Sequence, residues 1–299
     1  MISIDLGSNT LRVTKLDCQS GKFIADFEKI VKTADMLRRT GVIHHEAVDR
    51  VIYAIKEAQK EIDFSNNEVK AVTTEALRSA SNSSDVLERI KKETGVAFEI
   101  ISGDEEARLT LLAVKNRLAK LQYVSKSFVL VDIGGGSTEL IFNFEDKVIS
   151  KSFPIGIVTI SQKYKNLEDI QSALSLEMLD MQKFSSQVYA EEGKVNSFIA
   201  TAGTPTTVAA MKLGQNYACY SASKVNGTSV FKNELDIYLK KLLSLPFEER
   251  ELKVGVGRSD LIAAGILIYK HVFSILEFES CIVIDDGLRE GLALDGCLN

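Results

Sequence analysis

Apolar residues recur along this chain in two rhythms. From His45 to Ile62, residues Ala47, Val48, Val51, Ile52, Ile55 and Ala58 fall at helical spacing and predict one amphipathic helix. Leu11 to Leu16 and Glu139 to Phe144 instead alternate residue by residue, the period of a half-buried strand. Short apolar runs at Ile2-Ser3-Ile4, Val69 to Thr73, Phe98 to Ile101, Phe128 to Val131, Ser197 to Thr201 and Cys281 to Ile284 predict further strands. Additional strands are expected at 23–31 and 148–153. Helices are expected at 84–93, 104–122, between 156 and 187, from 203 through 211, at 234–243, at 259–273 and over 286–298. Strands alternating with helices predict an α/β fold with parallel strand pairs.

The same local grammar is written twice. A strand ending in Asp5 leads through Leu6-Gly7-Ser8-Asn9-Thr10 into an alternating stretch, and a strand ending in Asp132 leads through Ile133-Gly134-Gly135-Gly136-Ser137-Thr138 into another. Each reads as a hairpin whose tight turn offers amides and hydroxyls to an anion. Gly7, Ser8, Asn9 and Thr10 on one loop and Gly135, Gly136, Ser137 and Thr138 on the other are therefore phosphate-binding candidates. The repeat predicts two homologous halves facing across a cleft. The boundary is expected in the polar stretch near 122–126, giving domains at 1–122 and 123–285, with a helix at about 286–299 returning to the first.

The acidic residues add chemistry. Asp132 and Glu139 lie at opposite ends of one turn, where a Mg²⁺ ion held by one or two carboxylates, waters and phosphate oxygens would fit; Asp5, on the mirror loop, joins them as a metal candidate. Ser102 and Glu105 have the spacing of a capping box, leaving Glu106 as a second acid at the carboxyl end of a strand. It can orient and deprotonate a water or simply favour the helix dipole, and the latter is the stronger reading from the residues alone. Arg78 reads equally as a phosphate clamp or as a surface side chain. Gly203 and Thr204, at a helix N-terminus after Ala202, are further phosphate candidates. Arg258 and Arg289 are weaker substrate contacts.

Composition narrows the classes. In 299 residues, 45% are hydrophobic and 26% charged, with a net charge of −5. The acidic balance argues against a nucleic-acid surface, though a local donor cluster still accepts a polyanion. Cys18, Cys219, Cys281 and Cys297 are scattered and read as reduced thiols rather than as a disulfide framework or zinc site. No secretory leader or run of about 20 apolar residues is read, so a cytoplasmic protein without membrane partners is expected.

Taken together, Ile4 to Thr10, Glu75 to Arg78, Ile100 to Arg108, Val131 to Leu140, Ala202 to Thr207 and Asp285 to Gly291 resemble, in order, the exopolyphosphatase / guanosine pentaphosphate phosphatase family of the actin–sugar kinase–heat-shock ATPase superfamily. The resemblance implies two actin-like, ribonuclease H-like domains. It also implies Mg²⁺-dependent hydrolysis of the terminal phosphoanhydride of inorganic polyphosphate or of guanosine pentaphosphate, the second a stringent-response reaction yielding the tetraphosphate. It makes Glu106 the catalytic glutamate, Arg78 a catalytic arginine, and Asp132 and Glu139 metal ligands. Oligomeric state is left open, with room for a homodimer. Long family members carry extra polymer-gripping domains beyond the core matched here, so processive action is not among the expectations. Two local departures stand out. Thr33 to Leu37 replaces a Gly-Glu-Gly-Leu-like turn, and Asp286 replaces a usual glycine, adding negative charge near a substrate path. The alternatives are an alarmone- or nucleotide-binding regulator without turnover, or a small-molecule kinase of the same superfamily.

Overall fold

The computed structural model describes residues 1–298. Two compact units divide the chain, one formed by residues 1–114 and 287–299, the other by 115–286. In the first unit the strands are β1 (Ile2–Leu6), β2 (Thr10–Asp17), β3 (Lys22–Ile30), β4 (Val69–Thr73) and β5 (Phe98–Ile100). Its helices are α1 (Leu37–Thr40), α2 (His45–Glu61), α3 (Glu75–Ser79), α4 (Ser83–Thr94) and α5 (Gly103–Lys120), the last running on into the second unit.

The second unit repeats the plan with β6 (Phe128–Ile133), β7 (Thr138–Asn143), β8 (Val148–Phe153), β9 (Ser197–Thr201), β10 (Thr228–Phe231) and β11 (Ser280–Val283). Its helices are α6 (Ile157–Lys163), α7 (Leu167–Glu177), α8 (Leu179–Glu192), α9 (Gly203–Lys212), α10 (Ala222–Val225), α11 (Lys232–Leu243), α12 (Phe247–Val254) and α13 (Ser259–Leu276). The final helix, α14 (Leu288–Leu298), belongs to the first unit and lies against β1 and β2.

The sheets run in the orders β3-β2-β1-β4-β5 and β10-β11-β9-β6-β7-β8. In each, an antiparallel three-strand meander is followed by parallel additions: β4 and β5 beside β1, and β9 and β11 beside β6. The duplicated hairpin grammar of the sequence is thus a duplicated sheet. Strand β10 and helices α1, α10 and α12 escaped the sequence reading because four to eight residues carry too little periodicity.

α13 is long and apolar enough to cross a membrane by length and composition, and 67% of it is buried within the fold. Val272, Phe273 and Leu276 on its last turns have no exposed surface, and the Phe198 ring of β9 packs edge-on to Phe273.

Glycines in α14 serve close packing. A Cβ on Gly291 would sit 1.9 Å from the Leu109 carbonyl oxygen, so only glycine lets α14 approach the α5 backbone. Around this contact Val72, Ile101, Leu109, Leu288 and Leu292 form one buried cluster.

The cysteine expectation is corrected. Cys18, just after β2, and Cys297, near the end of α14, are joined in a disulfide across 279 residues of sequence. No spacing motif reveals a pair so far apart. Cys281 remains a free buried thiol beside the Tyr269 hydroxyl, and burial pushes it up to about 12; Cys219 is free and exposed. Under native, non-reducing conditions a thiol reagent should therefore label Cys219 alone, and reductant should add Cys18 and Cys297 to the count. Cys18→Ser should cost roughly 2–5 kcal/mol in chemical denaturation, and reductant should erase the difference from the parent.

Candidate functional site

Strand register builds the second unit's site. Asp132 on β6 faces Glu139 on β7, Glu139 faces Ser152 on β8, and Asp132 faces Thr201 on β9. Directly opposed strand residues share a face with Cβ atoms about 5 Å apart, and like charges so placed repel. Two hydroxyls blunt that cost on one side: Ser137 Oγ and Ser152 Oγ donate to Glu139 Oε1 at 2.6 and 2.7 Å. Glu139 is 1% exposed, whereas Asp132 is half-buried.

The glycine loop between them is oriented by α6. The amides of Ile157 and Val158 donate to the carbonyls of Gly134 and Gly135 at 3.0 and 2.8 Å, and Thr159 Oγ1 donates to the Gly136 carbonyl at 3.2 Å. With its carbonyls turned onto this helix N-terminus, the loop is left to present N–H groups on its other side. None of the three glycines adopts left-handed backbone, and a Cβ on Gly134 would sit 3.1 Å from the Ser137 carbonyl oxygen. A Cβ on Gly156 would meet the Gly135 oxygen at 2.4 Å, which shows how closely the loop and α6 approach. Thr138 is turned inward, donating to the Ile155 carbonyl at 2.6 Å, so its hydroxyl is spent on the fold.

The loop after β9 carries backbone strain. Ala202 has φ 73° and ψ −174°, a region that strongly favours glycine, and Gly203 opens α9 immediately after it. The Arg258 guanidinium lies over Gly203, where a Cβ would come within 2.7 Å of Nη2. Thr204 departs from its expected role. Its side chain is fully buried against Gly265 of α13, and its Oγ1 has no hydrogen-bond partner. What Thr204 can offer an anion is its backbone N–H alone.

The Asp286 expectation is also corrected. The side chain is 5% exposed and is gripped by Arg117, with Nε and Nη2 on its two oxygens at 2.6 and 3.0 Å. A fork-on-carboxylate pair compensates the charge within the unit, so Asp286 adds no bare negative charge to a substrate path.

In the first unit the Asp5 loop is closed by the Gly7 amide donating to the Thr10 carbonyl at 3.0 Å. Asp5, Ser8 and Asn9 are buried, while Gly7 and Thr10 are half-buried. Asp5 faces Arg12 on β2, and Arg12 faces and pairs with Glu28 on β3 at 3.1 Å. Sequence reading passed over this Asp5–Arg12–Glu28 row; the signal was present in the period-2 alternation that puts Arg12 on the Asp5 face.

Glu106 sits in the first turn of α5, 9% exposed. Arg78, at the end of α3, spans it: Nη2 reaches Glu106 at 3.5 Å and Glu75 at 3.0 Å, and Nη1 donates to the Ile101 carbonyl at 2.7 Å. Arg78 is thus a fixed neighbour of Glu106 rather than a loose surface arginine. Ser102 caps the helix by accepting the Glu105 amide, but Glu105 pairs with Arg108 instead of closing a reciprocal box.

Among the described residues no three His, Cys, Asp or Glu side chains gather as a self-sufficient metal cage. The opposed Asp132–Glu139 pair suits a cation that takes its other ligands from water and phosphate, as Mg²⁺ does.

Two hairpin-plus-parallel sheets, each with an acidic strand residue beside a small-residue turn, define an α/β protein of two actin-like domains. The profile of the Ppx/GppA phosphatase family matches residues 13–299, and the chain belongs to that family. It is 28% identical to exopolyphosphatase 1 of Mycobacterium leprae over 97% of this chain and 87% of that one. It is 31% identical to the solved Ppx/GppA family member of Aquifex aeolicus, with a TM-score of 0.74 over 99% and 97% of the two chains. An exopolyphosphatase structure from Cytophaga hutchinsonii shares the fold at a TM-score of 0.84 and 24% identity, over 99% of this chain and 97% of that one.

Replacing Thr204 by Val should test its assignment. Removing a buried hydroxyl that lacks a partner should leave stability unchanged or raise it by about 1 kcal/mol, with phosphate release unaltered. A large loss of activity at unchanged melting temperature would restore the hydroxyl to the site.

Proposed function

We propose that this protein is a Mg²⁺-dependent phosphatase that releases the terminal phosphate of inorganic polyphosphate and accepts the 5′-phosphate end of guanosine pentaphosphate by the same chemistry. The observation that carries the reading is the opposed Asp132–Glu139 pair next to an amide-presenting glycine loop. The names of its exopolyphosphatase relatives support the substrate class.

In this reading the amides of Gly135, Gly136 and Ser137 and of Gly203 and Thr204 in the second unit bind non-bridging phosphate oxygens, and those of the Ser8–Asn9 turn do so in the first. Asp132 and Glu139 would hold the metal, and in the first unit Asp5 is the carboxylate suited to a cation. When bound, Mg²⁺ would neutralise charge that develops on the phosphate oxygens. Ser137 and Ser152 hold the Glu139 carboxylate through hydrogen bonds to Oε1. Arg78 orients the Glu106 carboxylate, and Glu106 positions the attacking water and accepts its proton. The reacting group needs little covalent help, so positioning and charge compensation account for most of the acceleration.

Phosphate release from tripolyphosphate, long-chain polyphosphate and guanosine pentaphosphate, measured with and without Mg²⁺, tests the proposal. Glu106→Gln should reduce turnover by roughly 10²- to 10⁴-fold with little change in binding. Glu139→Gln should raise the Mg²⁺ concentration needed for half-maximal rate. Tight binding of guanosine pentaphosphate without release from any substrate would sink the enzymatic reading and favour a regulator.

A further inference from the structure

The segment after β3 is the departure from the family's glycine-rich turn, and the phosphate chemistry above makes no use of it. It is strapped to the Asp5 loop by backbone hydrogen bonds. The amides of Val31 and Lys32 both donate to the Asn9 carbonyl at 2.9 Å, and the Ala34 amide donates to the Ser8 carbonyl at 2.8 Å. From below, Arg50 donates to the carbonyls of Val31 and Lys32 at 2.8 and 3.2 Å and pairs with Asp35 at 3.4 Å. Two non-glycine residues within five positions take left-handed backbone, Lys32 at φ 49° and Met36 at φ 61°. Such conformations cost about 1–3 kcal/mol each and persist only where surrounding contacts dictate the path.

That path leads into α1 (Leu37–Thr40), which carries the consecutive and exposed Arg38 and Arg39 four and five residues beyond Ala34. Among the described residues neither guanidinium has an acidic partner or a side-chain hydrogen bond, whereas Arg12, Arg50 and Arg78 of the same unit each have an acidic partner. Lys32 is exposed on the same segment. Three cations without acidic partners, fastened to a phosphate-binding turn in a chain of net charge −5, form a local positive patch that its surroundings do not neutralise.

We infer that Arg38 and Arg39, supported by Lys32, form a distal subsite for the internal phosphates of a polyphosphate chain. The strap sets preference for chain length and leaves the terminal chemistry untouched. The inference rests on the phosphatase reading for its substrate class, and the ligand is defined by its chemistry, a repeated singly charged phosphodianhydride. Arginine forks suit such groups because the two non-bridging oxygens of one phosphate can accept two parallel N–H bonds. A substrate too short to reach the strap gains nothing from it.

The test compares the parent with Arg38→Ala/Arg39→Ala and with Arg38→Lys/Arg39→Lys on tripolyphosphate and long-chain polyphosphate. The alanine pair should raise KM for the long chain roughly five- to tenfold, with kcat and the tripolyphosphate KM within about twofold. The slope of log affinity against log salt for the long chain should fall by roughly 1.4, the value for two phosphate contacts on a single-stranded polyanion. The lysine pair, which keeps the charge but loses the fork, should recover only part of the affinity. An unchanged long-chain KM, or equal rises for both substrates, would overturn the inference. Calorimetric binding of long-chain polyphosphate to the same variants separates the two readings. If the parent binds the polymer and the alanine pair loses that binding while no phosphate is released, the subsite stands and hydrolysis falls.

Discussion

Hairpin register is the constraint on which the rest of this molecule depends. Side chains on a strand alternate faces, so a slip of one residue between β6 and β7 would send Asp132 and Glu139 to opposite sides of the sheet. Register also places Asp132 next to Thr201, and hence the glycine loop next to the strained corner that opens α9. The first unit uses the same device to line up Asp5, Arg12 and Glu28. The two rows differ in charge. One mixes signs and is internally compensated, while the other opposes two carboxylates, one of them held by two serine hydroxyls.

Helices convert these rows into sites by fixing the turns between strands. α6 consumes the carbonyls of the glycine loop, and the 31–35 segment consumes those of Ser8 and Asn9. In both units the acceptors of the turn are spent on the fold, which leaves donors for an anion. α5 carries Glu106 and is backed by α14 at a distance only Gly291 permits. A methyl group at that position would push α14 off the helix that holds the acid.

Much of this was legible in the sequence because the repeated Asp–turn–alternation pattern encodes register and turn together. Asp132, Glu139 and the glycine loop carry their relationship in a few consecutive residues. What was hidden depends on distant partners or on backbone angles. The Cys18–Cys297 link spans nearly the whole chain. The inward turn of Thr204 follows from the close approach of α13 at Gly265, and the quiet charge of Asp286 follows from Arg117, on a helix far away in sequence. Arg78 could not be assigned from spacing alone, since Glu75, Ile101 and Glu106 meet it only once the β4–α3 and β5–α5 corners are formed. Met36 and Ala202 adopt glycine-like backbone without being glycine, so no residue type announced them.

The topology of the first unit also has a temporal consequence. Its sheet is made early in the chain, yet the cluster that seals it includes Leu288 and Leu292 from α14. The second unit draws its residues from one uninterrupted stretch. During synthesis the second unit can reach its final packing first, while the first waits with an apolar face uncovered until α14 emerges. The Glu106-bearing helix therefore gains its α14 backing only after the residues of the second unit have been made.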